Sequence, residues 1–340
     1  MSDDAQHSSL FDGFEGYRTP TMEDYRRVMT QGMVVLDTSI LLNLYRYDRQ
    51  TRRDLLSVLN RIQSQLWVPH QAIAEFWANR DLVLTSRRDS ARRALTSLES
   101  PARSTVEAVE LWARNIGLDD VTRHSLITDI SDAYVQLRKS IADHRIDTEI
   151  DSIPDTGEDP VIRALETILS GRVGQALPPS DHEQALKEAT RRAQDRVPPG
   201  YMDQHKENNR GAGDYLLWEQ TLREAQNRAT DVLLVTQDMK EDWWRQTRGV
   251  IRGPRPELTR EIKVRAGCDL FMMQPQGLLQ MGQEVLSVHV DEASVQQVKR
   301  FEWMPTAFID PPTPGSFTLP EGQRLGAERG EKSASRKDAS

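Results

Sequence analysis

The chain has 340 residues, of which 37% are hydrophobic and 28% charged. That is enough apolar material for one large α/β domain, or two modest ones, carrying long solvated helices. Its 44 basic and 52 acidic residues leave a formal charge of −8, which excludes a protein that coats itself with nucleic acid through bulk positive charge. A single cysteine, Cys268, excludes an internal disulfide; with no signal-like start and no apolar run of membrane length, the chain reads as cytoplasmic.

Residues 1–20 are polar and acidic and read as a loose arm, with Phe11, Phe14 and Tyr17 able to dock it. A short helix is expected over 23–29. Met33-Val34-Val35-Leu36 is a continuous apolar run, the pattern of a buried parallel strand, and Asp37 stands just past its end. Open α/β sheets build their sites beyond the carboxyl ends of strands, so Asp37 is the first candidate residue. Thr38-Ser39 and an apolar stretch over 40–45 follow. Leu55, Leu56, Leu59 and Ile62 repeat at helical spacing over 54–62, and Leu66-Trp67-Val68-Pro69 reads as a second strand ended by its proline. The next helix carries Ile73, Phe76, Trp77 and Leu84 on one face, and both Trp67 and Trp77 read as core.

From 89 to 196 the pattern is helical, arginine-rich and poor in strand signals, with breaks over 151–160 and at Leu177-Pro178-Pro179. Val197-Pro198-Pro199-Gly200-Tyr201 is a hard stop after it. A helix over 214–228 leads into a second apolar run, Val232-Leu233-Leu234-Val235-Thr236, followed by Gln237 and Asp238. Beyond Asp242-Trp243-Trp244 the reading is a loop through Gly253-Pro254-Arg255-Pro256, a helix over 257–265 and a last strand at Leu270-Phe271-Met272-Met273. After Pro311 the composition describes a disordered tail. There is no internal repeat.

Asp37 and Asp238 thus follow two strands about two hundred residues apart, which suggests a metal site assembled by the fold. Each has a plainer alternative as the cap of a helix, one starting near Ile40 and the other running through Glu241 and Trp244. Asp214 opens a helix whose apolar face is Leu217, Trp218, Leu222 and Ala225, and spacings of three and four put the acid on that same face. A carboxylate turned toward a sheet needs donors or a cation, which sets the metal reading ahead of a simple N-cap. Glu75 lies off its helix's apolar face and reads locally as a surface glutamate. Acids without a His/Cys cluster suit Mg²⁺ or Mn²⁺ rather than zinc. Such ions polarise a phosphoryl oxygen and lower the pKa of a bound water. No zinc-ligand spacing, Ser-His-Asp set, Gly-x-Gly-x-x-Gly fingerprint or Walker lysine loop competes.

Arg87, Arg88, Arg92 and Arg93 form one candidate phosphate-contacting ridge, and Arg191, Arg192 and Arg196 another. Interleaved acids favour solvated helix faces with internal ion pairs instead. Trp243 and Trp244 are candidates for stacking on a base, with core packing the stronger reading for at least one.

Taken in order, these segments resemble the PIN-like nuclease superfamily, and in detail its bacterial branch with a large helical insertion. Val35-Leu36-Asp37-Thr38-Ser39-Ile40-Leu41-Leu42-Asn43-Leu44-Tyr45-Arg46 is similar to that branch's opening strand and turn. Trp67-Val68-Pro69-His70 with Glu75-Phe76 and Asn79-Arg80 resembles its second strand and acid-bearing helix. Pro198-Pro199-Gly200-Tyr201 with Asp203 and Lys206 is similar to the segment closing the insertion, and Gly213-Asp214-Tyr215 with Trp218 to the Gly-Asp helix start. Thr236-Gln237-Asp238 with Lys240-Glu241-Asp242-Trp243-Trp244, then Arg255-Pro256-Glu257-Leu258, complete a resemblance over residues 15–285. Gln237 and Ala212 depart from the pattern, at positions where an acid or amide and an aromatic are frequent.

The resemblance implies a three-layer α/β/α fold with a central parallel sheet. Residues 1–30 would be an arm and lead-in helix, 31–88 the first part of the PIN-like domain, and 89–200 the insertion. Residues 201–290 would be the domain's second part, 291–310 a C-terminal extension and 311–340 a disordered tail. It carries the family's four acids onto Asp37, Glu75, Asp214 and Asp238 as catalytic and metal-holding residues, promoting Glu75 above its local reading. Asp203 and Asp242 become outer acids, and Thr236 a residue that orients the cluster. The implied activity is an Mg²⁺- or Mn²⁺-dependent nuclease of endoribonuclease type, with RNA favoured over DNA as partner and no membrane. A homo-oligomer or a protein partner through the insertion stays open, as does a defence or toxin-like role, for which no residue argues. The alternative is a PIN-like nucleic-acid-binding or regulatory module without turnover. A phosphatase of the haloacid dehalogenase type wants a second aspartate where Ser39 stands.

Overall fold

Four apolar runs form the sheet of the computed structural model, which describes residues 10–143, 155–203 and 210–302 together with Ile150 and Ile153. They are β1 (Met33–Leu36), β2 (Leu66–Trp67), β3 (Val232–Val235) and β6 (Leu270–Met273), all parallel in the order β2-β1-β3-β6. The register sets Val35 beside Trp67 on one side and Leu234 on the other, and Leu234 beside Met272. All strand residues are buried, as a parallel sheet covered on both faces by helices requires. The chain leaves β1 toward β2 on one side and returns at β3 on the other. Strand order therefore reverses between β1 and β3, and open sheets form their crevice beyond the carboxyl ends of such a pair.

The helices follow from local signals. Thr21 and Asp24 make a reciprocal capping box at the start of α1 (Met22–Gln31). Asp37 precedes the short α2 (Thr38–Asn43), and Asp48 caps α3 (Arg49–Arg61), five residues before the expected start. The long α4 (His70–Ser97) buries Ala72, Phe76, Arg80, Val83 and Leu84. Trp77, read as core, is instead 51% exposed: the buried stripe runs through positions 76, 80 and 83, and its indole stands edge-to-face with Phe76. Helices α5 (Glu99–Ile116) and α6 (Asp120–Asp143) pack on each other and on α4, with Ala113 their one fully buried residue.

The chain returns through α7 (Pro160–Leu169) and then bridges Val173 to Val68, lengthening the sheet edge. Gly174 lies so close to the Trp67 indole that a Cβ there would sit 2.6 Å from the ring. After α8 (Pro179–Asp195) come α9 (Gly213–Arg228) and β3. Where a loop was expected, β4 (Trp244–Thr247) and β5 (Val250–Pro254) form a hairpin, turned by Arg248 and Gly249, both at positive φ. Asn-Gly is the usual signal for such a turn, and mostly exposed strands give no apolar alternation, so the pattern was silent. Helix α10 (Pro256–Ala266) receives the 15–17 turn of the arm, and α11 (Pro275–Leu286) and α12 (Glu292–Glu302) pack on α3. The 311–340 tail and Lys206 lie outside the described residues. No helix among the described residues is long and apolar enough to cross a membrane.

One buried polar knot ties α7 to the core. Asp159, fully buried, caps α7 with Oδ1, while Oδ2 accepts from the Tyr45 hydroxyl at 2.6 Å and from Arg80 Nη2 at 2.5 Å. Arg80 is itself buried, so removing the acid takes away its buried counter-charge and leaves it the exposed Asp81 and the Tyr45 hydroxyl. Asp159→Ala is expected to lower the unfolding free energy by about 3–5 kcal/mol in urea titration; a loss below ~1 kcal/mol would mean that solvent reaches Arg80.

Candidate functional site

The crevice beyond β1 and β3 holds a cavity of ≈ 10 Å³, about the space one water-sized body occupies. Asp37, Asp214, Asp238 and Thr236 line its polar side, and Leu217, Leu234 and Trp243 its apolar side. Three of the four anticipated acids therefore converge, from the ends of two strands and the start of one helix.

Asp37 stands at the N-cap position of α2, but its side chain makes no capping bond. Its Oδ2 accepts from the Thr236 hydroxyl at 2.7 Å and from the Ser39 hydroxyl at 2.6 Å. Thr236 in turn accepts from the Asp238 amide, and Ser39 accepts from the Gln237 amide, so the two strand ends are stitched together. Asp238 caps no helix: Oδ1 accepts from the Lys240 amide in a tight turn, and its carbonyl takes the Trp244 indole N–H. Asp214 lies one residue inside α9, again without a capping bond. Two of the plainer capping alternatives thus find no bond, and the third finds no helix.

Lys240 was not anticipated as a functional residue. Its ammonium lies 2.7 Å from Asp238, 3.0 Å from Asp203 and 3.4 Å from Asp214, and is a quarter exposed. Nothing in a Gln-Asp-Met-Lys sequence reveals that contact, because the turn at 238–240 folds the lysine back over its own acid. Burial alone would lower the ammonium's pKa, but Asp214, Asp238 and Asp203 outweigh it and hold the charge firmly. Burial pushes the Asp214 carboxyl up to about 8, with Lys240 opposing and Asp238, Asp203 and Asp242 adding to the rise. Asp238 is raised too, by burial first, with Lys240 again opposing.

The outer acids are buried behind the cluster. Asp242 is fully buried; Oδ2 accepts from the Gly200 and Met202 amides, while Oδ1 has no partner among the described residues. Glu75 does not line the cavity. It accepts from Thr38 Oγ1 at 3.0 Å and Gln71 Nε2 at 2.8 Å and presses on the start of α9. A Cβ at Gly213 would stand 2.3 Å from its Oε1, so only glycine allows this approach. Glu75 therefore neighbours Asp37 and Asp214 through the residues beside them.

The basic ridges are mostly spent on structure. Arg87 donates to the Tyr45 and Arg46 carbonyls, Arg92 pairs with Asp89, and Arg93 reaches Ser86. The Arg88 side chain lies outside the described residues. Arg191 pairs with Glu188 and Asp195, the buried Arg192 with Glu188 and Glu261, and Arg196 with Glu241. Trp243 and Trp244 are both buried, Trp243 edge-on against Trp218, so neither is free to stack on a base. Arg46 differs. Its half-buried guanidinium has Asn43 Oδ1 at 3.2 Å as partner and no carboxylate among the described residues, and burial lowers its pKa. Asn43 also donates to Gln237, which ties Arg46 to the turn bearing Asp238.

The donors present fit a hard divalent cation: carboxylate and hydroxyl oxygens, one orphaned buried carboxylate oxygen, and an ammonium standing among the acids. No set of three or more His, Cys, Asp or Glu side chains among the described residues is gathered as a ready cage.

No curated protein and no solved structure matches the chain. A family model described as a PIN-like domain matches residues 33–258, about two thirds of the sequence. That span opens on β1, runs through α4 and the helices after it, and includes Asp37, Glu75, Asp214 and Asp238. With three of the sheet's four strands and both acid-bearing strand ends inside the match, this chain belongs to the PIN-like domain family.

Proposed function

We propose that the protein is a metal-dependent nuclease that hydrolyses phosphodiester bonds, with RNA the favoured polymer. The family is a branch of a superfamily made up generally of nucleases. The observation that carries the reading is the convergence of Asp37, Asp214 and Asp238 with Thr236 around an ion-sized cavity at the strand-order reversal. Asp37, Asp214 and Asp238 would hold Mg²⁺ or Mn²⁺, and Glu75 would complete the cluster or orient a water from beside Thr38. When bound, such an ion polarises the phosphoryl oxygen and activates a water. Thr236 and Ser39 fix the rotamer of Asp37, so the acid meets a cation without first reorganising. Asp203 and Asp242 add negative potential from behind. Arg46, with no carboxylate partner among the described residues, is the guanidinium best suited to a backbone phosphate.

One feature favours a second reading, a nucleic-acid-binding module without turnover: Lys240 already neutralises part of the cluster. An assay on labelled single-stranded RNA and DNA with Mn²⁺, Mg²⁺ or EDTA separates the two. Metal-dependent cleavage is expected, reduced about a thousandfold in an Asp37→Asn, Asp238→Asn variant, because Lewis-acid stabilisation is worth several kcal/mol. Polymer binding without cleavage would select the second reading.

Arg46→Gln is expected to raise KM about tenfold or more with kcat little changed, the worth of a charge-assisted contact to phosphate. A fall in kcat alone would place Arg46 elsewhere in the mechanism.

Protons and metal compete for the Asp214 and Asp238 oxygens; burial pushes Asp214 up to about 8 and raises Asp238 as well. Mn²⁺ affinity should therefore weaken as pH falls from about 8 to about 6, whereas unperturbed carboxylates titrating near 4 would leave it flat. Calorimetry across that range distinguishes the two.

A further inference from the structure

Among the described residues, Lys240 is the one cation paired inside a cluster of acids drawn from four parts of the chain. Asp37 follows β1, Asp214 opens α9, Asp238 follows β3, and Asp203 ends the short turn after the insertion. The Lys240 ammonium reaches three of these at 2.7–3.4 Å. Two of the oxygens it holds, Asp214 Oδ2 and Asp238 Oδ2, belong to acids assigned above to a divalent cation. A lone pair donated to a metal is no longer available to the ammonium, and the two positive charges repel at this range. Asp242, fully buried behind this group, retains an oxygen without a partner among the described residues.

We propose that Lys240 is a built-in counter-ion that stands in the cation position of the cluster and competes with a divalent metal for Asp214 and Asp238. The inference rests on the metal-dependent reading given above. Without metal, the ammonium keeps three acids together that would otherwise drive the strand ends and α9 apart. When a divalent ion takes the Asp214 and Asp238 oxygens, the flexible four-carbon stem lets the ammonium draw back. Asp203, which is not among the four assigned acids, still offers it a partner. The lysine therefore weakens metal binding while making the metal-free fold tolerable, and it ties the segment that closes the insertion to the state of the acids.

The test uses the full chain with Lys240→Met, which keeps the stem and removes the charge, and Lys240→Gln in case the methionine variant does not fold. Mn²⁺ binding is measured by calorimetry, and melting temperature is followed in EDTA and in saturating Mn²⁺. The neutral variants are expected to bind Mn²⁺ at least about tenfold more tightly. They should melt several degrees lower in EDTA and recover most of that loss in Mn²⁺, so the metal-induced shift exceeds that of the wild type. Affinity unchanged or weakened, with the wild type still binding Mn²⁺, overturns the inference and leaves the metal reading standing. Mn²⁺ binding by neither wild type nor variants overturns both; binding gained only in the variants supports the competition directly.

Discussion

Mutual repulsion among buried carboxylates is the constraint to which the rest of this structure answers. Asp37, Asp214 and Asp238 line one crevice backed by Leu217, Leu234 and Trp243, with Asp203 and Asp242 buried behind them, where water screens them poorly. Such an arrangement survives only if each acid is compensated. Asp37 is compensated by two hydroxyls, Asp242 by two backbone amides, and Asp203, Asp214 and Asp238 share the Lys240 ammonium. Asp242 Oδ1 keeps no partner among the described residues, and an oxygen-lined cavity of ionic size is suited to a hard cation.

The scaffold holds these charges by burying nearly everything else around them. A fully covered parallel sheet sets the two strand ends side by side, and the Thr236–Asp37 and Gln237–Ser39 bonds lock them. Behind α9, Glu261 accepts from the Trp218 indole and pairs with Arg192, joining α8, α9 and α10 so that the start of α9 cannot drift. The Gly213–Glu75 contact presses α4 onto that same point. Rigidity is concentrated where like charges meet, as a preorganised site requires. Helices α5 and α6 bury little and are joined to this core through α4.

Legibility in the sequence followed the range of the interactions. Strands β1, β3 and β6 were readable because continuous apolar runs report burial on both faces, and Asp37 and Asp238 because strand ends are where such sheets place their sites. Asp214 was readable from its position on the helix's apolar face. Glu75 was not: its role depends on the absence of a side chain at Gly213, well over a hundred residues away, and only the family pattern drew attention to it. Lys240 escaped because its meaning lies in contacts to Asp203 and Asp214 that no local pattern encodes. Trp77 was assigned to the core from hydrophobicity, yet Arg80 took the buried stripe because Asp159 and Tyr45 supply its partners. The β4–β5 hairpin, exposed and turned by Arg-Gly, carried neither apolar alternation nor the usual turn residues.

Whether Asp37, Asp214 and Asp238 hold a cation, as proposed, is tested most directly by a crystal structure grown with Mn²⁺ and phased on its anomalous signal. An anomalous peak is expected within coordination distance of Asp37 and Asp238, with the Lys240 ammonium withdrawn from the Asp238 carboxylate. Full Mn²⁺ occupancy at some other position, with Lys240 still bonded to Asp214 and Asp238, would contradict it.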